Sequence, residues 1–228
     1  MGQFMVCLAH FCEIHGPSVV MCTQSTALDR AEEIAAAPPT ASQLCSSCRL
    51  IIPKSEGDLE EPSSIRTVEA GRCYTSSQYP SSQPKYSALR QIVMKSLSVE
   101  MTYDSSAPIM FGDQAIGYSV VMTFKVRDSL ARGSERKYAL MVIGEQEGEV
   151  IHSWDLIVGN IQEIIVYVRD RLATVESDRN DEVGNERFFR RAQMTKPKSL
   201  VELLHDDRFF VRLHLWAASL LKDCSATA

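Results

Sequence analysis

Apolar and polar positions alternate most regularly between Gly117 and Arg127. Tyr118, Val120, Met122, Phe124 and Val126 share one face, and Ser119, Thr123, Lys125 and Arg127 the other, with Val121 alone out of step. A period of two over that length predicts a half-buried β-strand. Lys137 to Ile143 is apolar on both faces apart from its ends, which predicts a central strand covered on each side. Ile109-Met110-Phe111 is a shorter strand, ended by Gly112-Asp113. Near the start of the chain, residues 3–11 read as a buried strand and His15-Gly16-Pro17 as a turn. Ser18 to Thr23 returns as a second strand, which completes a hairpin.

The period lengthens elsewhere. Tyr86, Leu89, Ile92, Val93 and Leu97 recur at helical spacing from Lys85 onward. Trp154, Ile157, Val158, Ile161, Ile164, Ile165, Val168 and Leu172 form the longest amphipathic run, with Ser153 as N-cap and Asp155 in the first turn. This helix is expected to anchor the core. Pro197 precedes Ser199-Leu200-Val201-Glu202, a capping-box pattern. Beyond it, a helix broken near Asp206-Asp207 carries Phe209, Phe210, Leu213, Trp216, Leu220 and Leu221.

Between these elements, from Gln24 to about Pro84, prolines and serines accumulate and no period is sustained. Ordering each such residue costs about 1–2 kcal/mol, whereas closing the whole loop costs roughly 3–4 kcal/mol. The segment is therefore predicted to be a disordered insertion. The element order, strand, strand, helix, three strands, helices, predicts an α/β fold of the α+β type. Its sheet would be mainly antiparallel and five-stranded, flanked by helices. Residues 1–173 would form that domain, with the insertion at about 24–84. Residues 174–198 read as a polar linker and 199–228 as a C-terminal helical segment.

Charge and motifs narrow the function. A formal charge of −5 and the lack of any Lys/Arg run weigh against nucleic acid and against a polybasic membrane patch. The first residues lack the basic start and cleavage site of a signal peptide. Val6 stands where a myristoylation motif after Gly2 needs Ser or Thr. Asn160, Gln162 and Glu163 interrupt the apolar stretch from Leu156 to Val168, so it does not predict a membrane span. Seven cysteines, an odd number without an export signal, predict free thiols in a reducing compartment.

No phosphate-binding loop, nucleophile elbow or zincin helix occurs, and no cofactor is expected. His10, Cys12, Glu13 and His15 fall at a strand end, where neighbours point to opposite faces. They are read as part of a tight turn and not as a Cys–His nucleophile pair. Cys45 and Cys48 have the spacing of half a zinc site, with Cys73 and His10 or His15 as remote candidates. No second Cys-x-x-Cys or His pair is apparent, so no metal is expected. Arg132 lies between two strong strands, beside Gly133. By composition alone it is a solvated loop arginine.

Several stretches in one order resemble the folliculin family. They are His10-Phe11-Cys12-Glu13-Ile14-His15-Gly16-Pro17, Cys45-Ser46-Ser47-Cys48-Arg49, Phe111-Gly112-Asp113 with Gly117, Asp128-Ser129-Leu130-Ala131-Arg132-Gly133, Ser153-Trp154, and Leu215-Trp216 with Leu220-Leu221-Lys222. The element order also matches longin and roadblock domains, which serve trafficking and small-GTPase control. The chain resembles the short fungal form, ending where animal members continue into a DENN-type domain. That ending disfavours a DENN-type nucleotide-exchange role.

The resemblance implies pairing with a folliculin-interacting-type longin/DENN partner, in the cytoplasm with recruitment to the vacuolar or lysosomal membrane. The complex would stimulate GTP hydrolysis by a Rag-type small GTPase in amino-acid signalling to the TOR kinase complex, and the fungal form is linked to permease sorting. In that setting Arg132 becomes an arginine finger supplied in trans, with Arg127 and Arg136 as neighbouring controls. The alternative is a non-catalytic longin scaffold that stabilises its partner at the membrane. Apolar residues on both faces of 137–143 and the edges of a small sheet are read as a need for a heteromeric partner.

Overall fold

The computed structural model describes residues 3–28, 44–54, 62–80, 82–98, 107–128, 131–182 and 197–227. Its sheet is built from β1 (Phe4–Cys12), β2 (Gly16–Ala27), β3 (Ser64–Glu69), β4 (Arg72–Ser77), β5 (Ile109–Asp113), β6 (Gly117–Arg127) and β7 (Glu135–Gly144). The order across the sheet is β3-β4-β2-β1-β7-β6-β5, and every neighbouring pair is antiparallel. Among the described residues five α-helices complete it: α1 (Gln83–Ser96), α2 (Glu147–His152), α3 (Trp154–Glu182), α4 (Leu200–Leu204) and α5 (Phe209–Thr227).

Period-two side chains divide the core into two layers. On one face Val6, Leu8, Val20, Val120, Met122, Phe124, Tyr138, Leu140 and Val142 meet Ile157, Ile161, Ile165 and Val168 of α3 and Phe210, Leu213 and Leu221 of α5. On the other, Cys7, Ala9, Cys22, Val121, Ala139 and Met141 meet Leu89, Ile92 and Val93 of α1. Val121 breaks the alternation of β6 because α1 covers that face too, and Ser119 and Thr123 beside it are also buried. As expected of a central strand, β7 lies between β1 and β6 with both faces buried. The chain's own helices provide that cover, so the faces of β7 give no reason for a partner; β3 and β5 remain the sheet edges.

The expected five strands are present as β2-β1-β7-β6-β5, and the sheet is larger by two. Those two strands correct the reading of residues 24–84 as one disordered insertion. β2 itself runs on to Ala27, and β3 and β4 form a hairpin on its free edge. The hairpin turns through Ala70 (φ 49) and Gly71 (φ 74), the two positive φ values of a type I′ turn. Residues 29–43, 55–61 and 81 of the predicted insertion lie outside the described ones.

β4 buries Tyr74, Thr75 and Ser76. Burial of Tyr74 alone is worth about 2 kcal/mol, roughly 4–8 °C of melting temperature for a chain of this size. Replacing residues 62–80 by a short Gly/Ser linker should therefore lower the thermal midpoint by at least that much. An unchanged midpoint would mean that β3 and β4 add nothing to the domain.

Two other boundaries shift. The linker expected at 174–198 begins inside α3, whose Val175 is still buried, and its later part lies outside the described residues. The segment expected as a separate C-terminal unit joins the main core through α4 and α5. Its capping box is formed: the Ser199 amide donates to Glu202 Oε2 at 2.6 Å, and the Glu202 amide donates to Ser199 Oγ at 3.2 Å. The helix break falls at His205 (φ 48), and Asp206 accepts the Arg208 amide at 3.0 Å to start α5.

Candidate functional site

Strand directions bring two loops to one end of the sheet. β7 runs antiparallel to both β1 and β6, so the β1–β2 turn and the β6–β7 loop lie side by side, with His10 opposite Tyr138. The described part of the β6–β7 loop is tightly held. Ala131 donates to the Asp128 carbonyl at 3.0 Å, Ser134 to the Ala131 carbonyl at 2.9 Å, and Asp128 to the Ser134 carbonyl at 3.0 Å. A single 3-10 turn covers Arg132 to Ser134, with Gly133 at φ 74 and Ser134 at φ 58. Ser129 and Leu130 lie outside the described residues.

Arg132 is exposed at the tip of this loop. Its backbone amide donates to the Glu13 carboxylate from the β1–β2 turn. Its guanidinium makes no ion pair among the described residues. The two arginines expected as controls are unlike it. Arg127 is exposed and 3.7 Å from Glu176. Arg136 is buried, and its Nε donates at 2.7 Å to Asp128 Oδ2, itself buried. Asp128 and Arg136 therefore form the base of the loop, and Arg132 projects from it. Phe11 and Ile14, 45% and 63% exposed, put apolar surface beside the same tip.

A second cluster lies in the β1–β2 turn. The chain between β2 and β3 brings Cys45 and Cys48, at the ends of one 3-10 turn, against Cys12 and His15. Cys12 Sγ is 3.6 Å from Cys45 Sγ and 3.6 Å from His15 Nδ1. Cys48 Sγ is 3.6 Å from Cys45 Sγ and 3.4 Å from His15 Nδ1. Contact between the Cys12 and Cys48 thiols pulls Cys12 down and pushes Cys48 up. His10 Nε2 lies 3.2 Å from Cys48 Sγ, and burial pulls that imidazole down to about 4. Cys73, the remote candidate from the sequence, sits on β4 against Thr75.

The pair judged missing from a metal site is thus Cys12 and His15, in a Cys-x-x-His with the same spacing as Cys45-x-x-Cys48. A search for matched x-x spacings of mixed residue type would have found it. The expectation that no metal binds lost its premise here.

Two other polar features carry no chemistry of this kind. A cavity of about 840 Å³ opens at the far end of the sheet. Two cations on its wall are engaged: Arg72 donates to Ser25 Oγ and Lys85 to Gln3 Oε1. Ser76 Oγ lies 2.7 Å from His214 Nδ1, which resembles a nucleophile pair, but both residues are fully buried. The same chain of contacts runs on to Thr23 at 2.6 Å and from His214 Nε2 to Thr67 at 3.2 Å, tying α5 to β2, β3 and β4.

Burial pulls His214 down to about 4. The unfolded chain, with an ordinary imidazole near pH 6.5, then takes up the proton first. Stability from this group is complete above pH ~6.5 and falls as the pH drops toward about 4, by on the order of 3 kcal/mol. Urea midpoints across that window should show this slope, and His214→Gln should make it shallower, leaving the part that belongs to buried His10. An identical slope in the variant would assign the acid lability to other groups.

Comparison with known proteins places these features in context. The folliculin family model, described as a vesicle coat protein involved in Golgi to plasma membrane transport, matches residues 72–224. Protein LST7 of Saccharomyces cerevisiae is 30% identical over 241 residues, which cover 97% of this chain and 96% of LST7. Human folliculin is 26% identical over 271 residues, covering 97% of this chain and 46% of folliculin. The folliculin-like protein bhd1 of Schizosaccharomyces pombe is 33% identical over 102 residues, 42% of this chain and 28% of bhd1. The chain thus spans about half the length of the animal relatives and nearly all of LST7.

Proposed function

Because the chain belongs to the folliculin family, we propose that it is a subunit of a GTPase-activating complex that stimulates GTP hydrolysis by a Rag-type small GTPase. The complex relays amino-acid status to the TOR kinase complex. Its other subunit is a folliculin-interacting-type longin/DENN protein that pairs with this chain and brings it to the vacuolar or lysosomal membrane. No helix among the described residues is long and apolar enough to cross a membrane, in keeping with recruitment through partners.

One observation carries the reading: Arg132 is exposed on a loop whose backbone is held from both sides. Glu13 grips its amide, and the buried Asp128–Arg136 pair underlies the loop. A finger in trans gains most when it arrives already oriented, since its benefit is reduced by any ordering needed at the transition state. A guanidinium suits the task because it never deprotonates and offers planar donors to phosphoryl oxygens. The exposed Phe11 and Ile14 would bury apolar area against the GTPase beside the finger.

Single-turnover GTP hydrolysis by the Rag-type GTPase, with and without the assembled complex, tests this directly. Stimulation of the order of a thousandfold or more is expected. A complex that binds the GTPase and leaves its turnover unchanged would favour the non-catalytic scaffold.

A further inference from the structure

Two short segments, far apart in the chain, each present a pair of ligand-bearing side chains with two residues between them. Cys12 ends β1 and His15 lies in the turn that follows, while Cys45 and Cys48 flank the 3-10 turn packed on it. We propose that these four residues bind one zinc ion in a closed tetrahedral site. Their ligand atoms all lie within 4.8 Å of one another.

Distances and donor chemistry agree on the ion. Zinc–sulfur bonds of about 2.3 Å in a tetrahedron imply edges of about 3.8 Å, slightly less where nitrogen replaces sulfur. The sulfur–sulfur edges are 3.6 Å from Cys12 to Cys45 and 3.6 Å from Cys45 to Cys48. The sulfur–nitrogen edges are 3.6 Å to Cys12 and 3.4 Å to Cys48. A disulfide would bring one pair to about 2.0 Å. Two idle thiols can also rest at 3.6 Å, but four donors from two matched pairs enclosing one centre form a coordination shell. Three thiolates and one imidazole in this shape select zinc over harder cations, which need oxygen ligands.

Proton balance is simple. Zinc displaces three thiol protons to solvent, and His15 ligates through Nδ1 with its proton on Nε2. The site then carries one negative charge in excess. Two N–H groups are placed to offset it: the Ile14 amide donates to Cys12 Sγ at 3.4 Å, and His10 Nε2, when protonated, donates to Cys48 Sγ at 3.2 Å. With four protein ligands there is no open position for substrate, so the role is structural. The ion fastens residues 45–48 to the turn that carries Glu13, the carboxylate that holds the Arg132 amide.

The test uses the full chain, expressed with zinc and purified under reductant without chelator. Elemental analysis should find about one zinc per chain. Cys12→Ser and Cys45→Ser should each lose most of it, because a closed structural site needs all four ligands, whereas Cys7→Ala, a buried thiol away from the cluster, should retain it. His15→Cys should also retain it, by completing a four-thiolate site. Cobalt(II) loaded in place of zinc should show the intense visible bands of tetrahedral thiolate coordination, which reads the site without any substitution. Wild-type protein with only traces of zinc and no such cobalt spectrum would overturn the proposal. So would zinc that survives both serine substitutions. The metal site stands apart from the GTPase reading: a zinc-replete complex that fails to stimulate hydrolysis would count against that reading alone.

Discussion

Arg132→Ala is expected to lower stimulated GTP hydrolysis by ~10³–10⁵-fold, about 4–7 kcal/mol of barrier. Partner assembly and GTPase binding should be unchanged. The asymmetry follows from what the side chain touches. The loop is held by the backbone of Arg132 and not by its guanidinium, and an exposed side chain without an ion pair contributes little stability. Arg132→Lys should recover little activity, since an ammonium keeps the charge but lacks the planar fork. Arg127→Ala is the proper control, being exposed near the same loop with only a 3.7 Å contact to Glu176. Turnover is measured at saturating complex. If Arg127→Ala loses activity and Arg132→Ala keeps it, the finger has been assigned to the wrong residue. If both stay active, the scaffold takes over.

Arg136 behaves differently, and the second large effect falls there. Asp128 and Arg136 are joined at 2.7 Å with side chains 2% and 8% exposed. Removing one partner takes from the other charge, still buried, the ion pair it makes at 2.7 Å, which costs about 3–5 kcal/mol. Arg136→Ala and Asp128→Ala should each lower the urea midpoint of the isolated chain by a corresponding amount. The double variant should be less unstable than the sum of the two, because the same ion pair is lost only once. A loss below ~1 kcal/mol for either single change would mean that water reaches the pair and screens it. Reduced activity in Arg136→Ala is thus a folding effect, and stability must be measured alongside turnover.

Elements with strong periods were legible from the chain: β6 and β7, α1, the first part of α3, and the capping box at Ser199. β3 and β4 were not. Ser64, Arg66, Thr67, Glu69, Arg72, Thr75, Ser76 and Ser77 make these strands polar, and their turn is Ala-Gly where a hairpin signal would be Asn-Gly. The buried hydroxyl of Ser76 is satisfied by Thr23 and by His214, a partner 138 residues away. No local window contains that information. α2 was hidden in the same way, since six residues beginning Glu147-Gly148 have too little length for a period.

The site was half visible. Arg132 was singled out through the family resemblance, and its exposure agrees with the role proposed for it. Its grip by Glu13, 119 residues away, could not be read from the chain. The thiol cluster was missed because each pair alone is an ordinary spacing. Only the sheet, by bringing the β1–β2 turn to the segment before β3, sets 33 residues of separation to 3.6 Å.

The Thr23–Ser76–His214–Thr67 tie has a consequence for how the protein is made. A chain emerging from the ribosome presents β2, β3 and β4 long before residue 214 has been synthesised. Until then the hydroxyls of Ser76 and Thr67 have no imidazole to meet, and water serves them better than a closed sheet edge. That polar tie is therefore completed only when α5 arrives, across a separation of 138 residues. The nascent chain spends that interval with two polar strands and an apolar face awaiting a helix still to be translated. During that time their protection must come from solvation, since the fold cannot yet supply it.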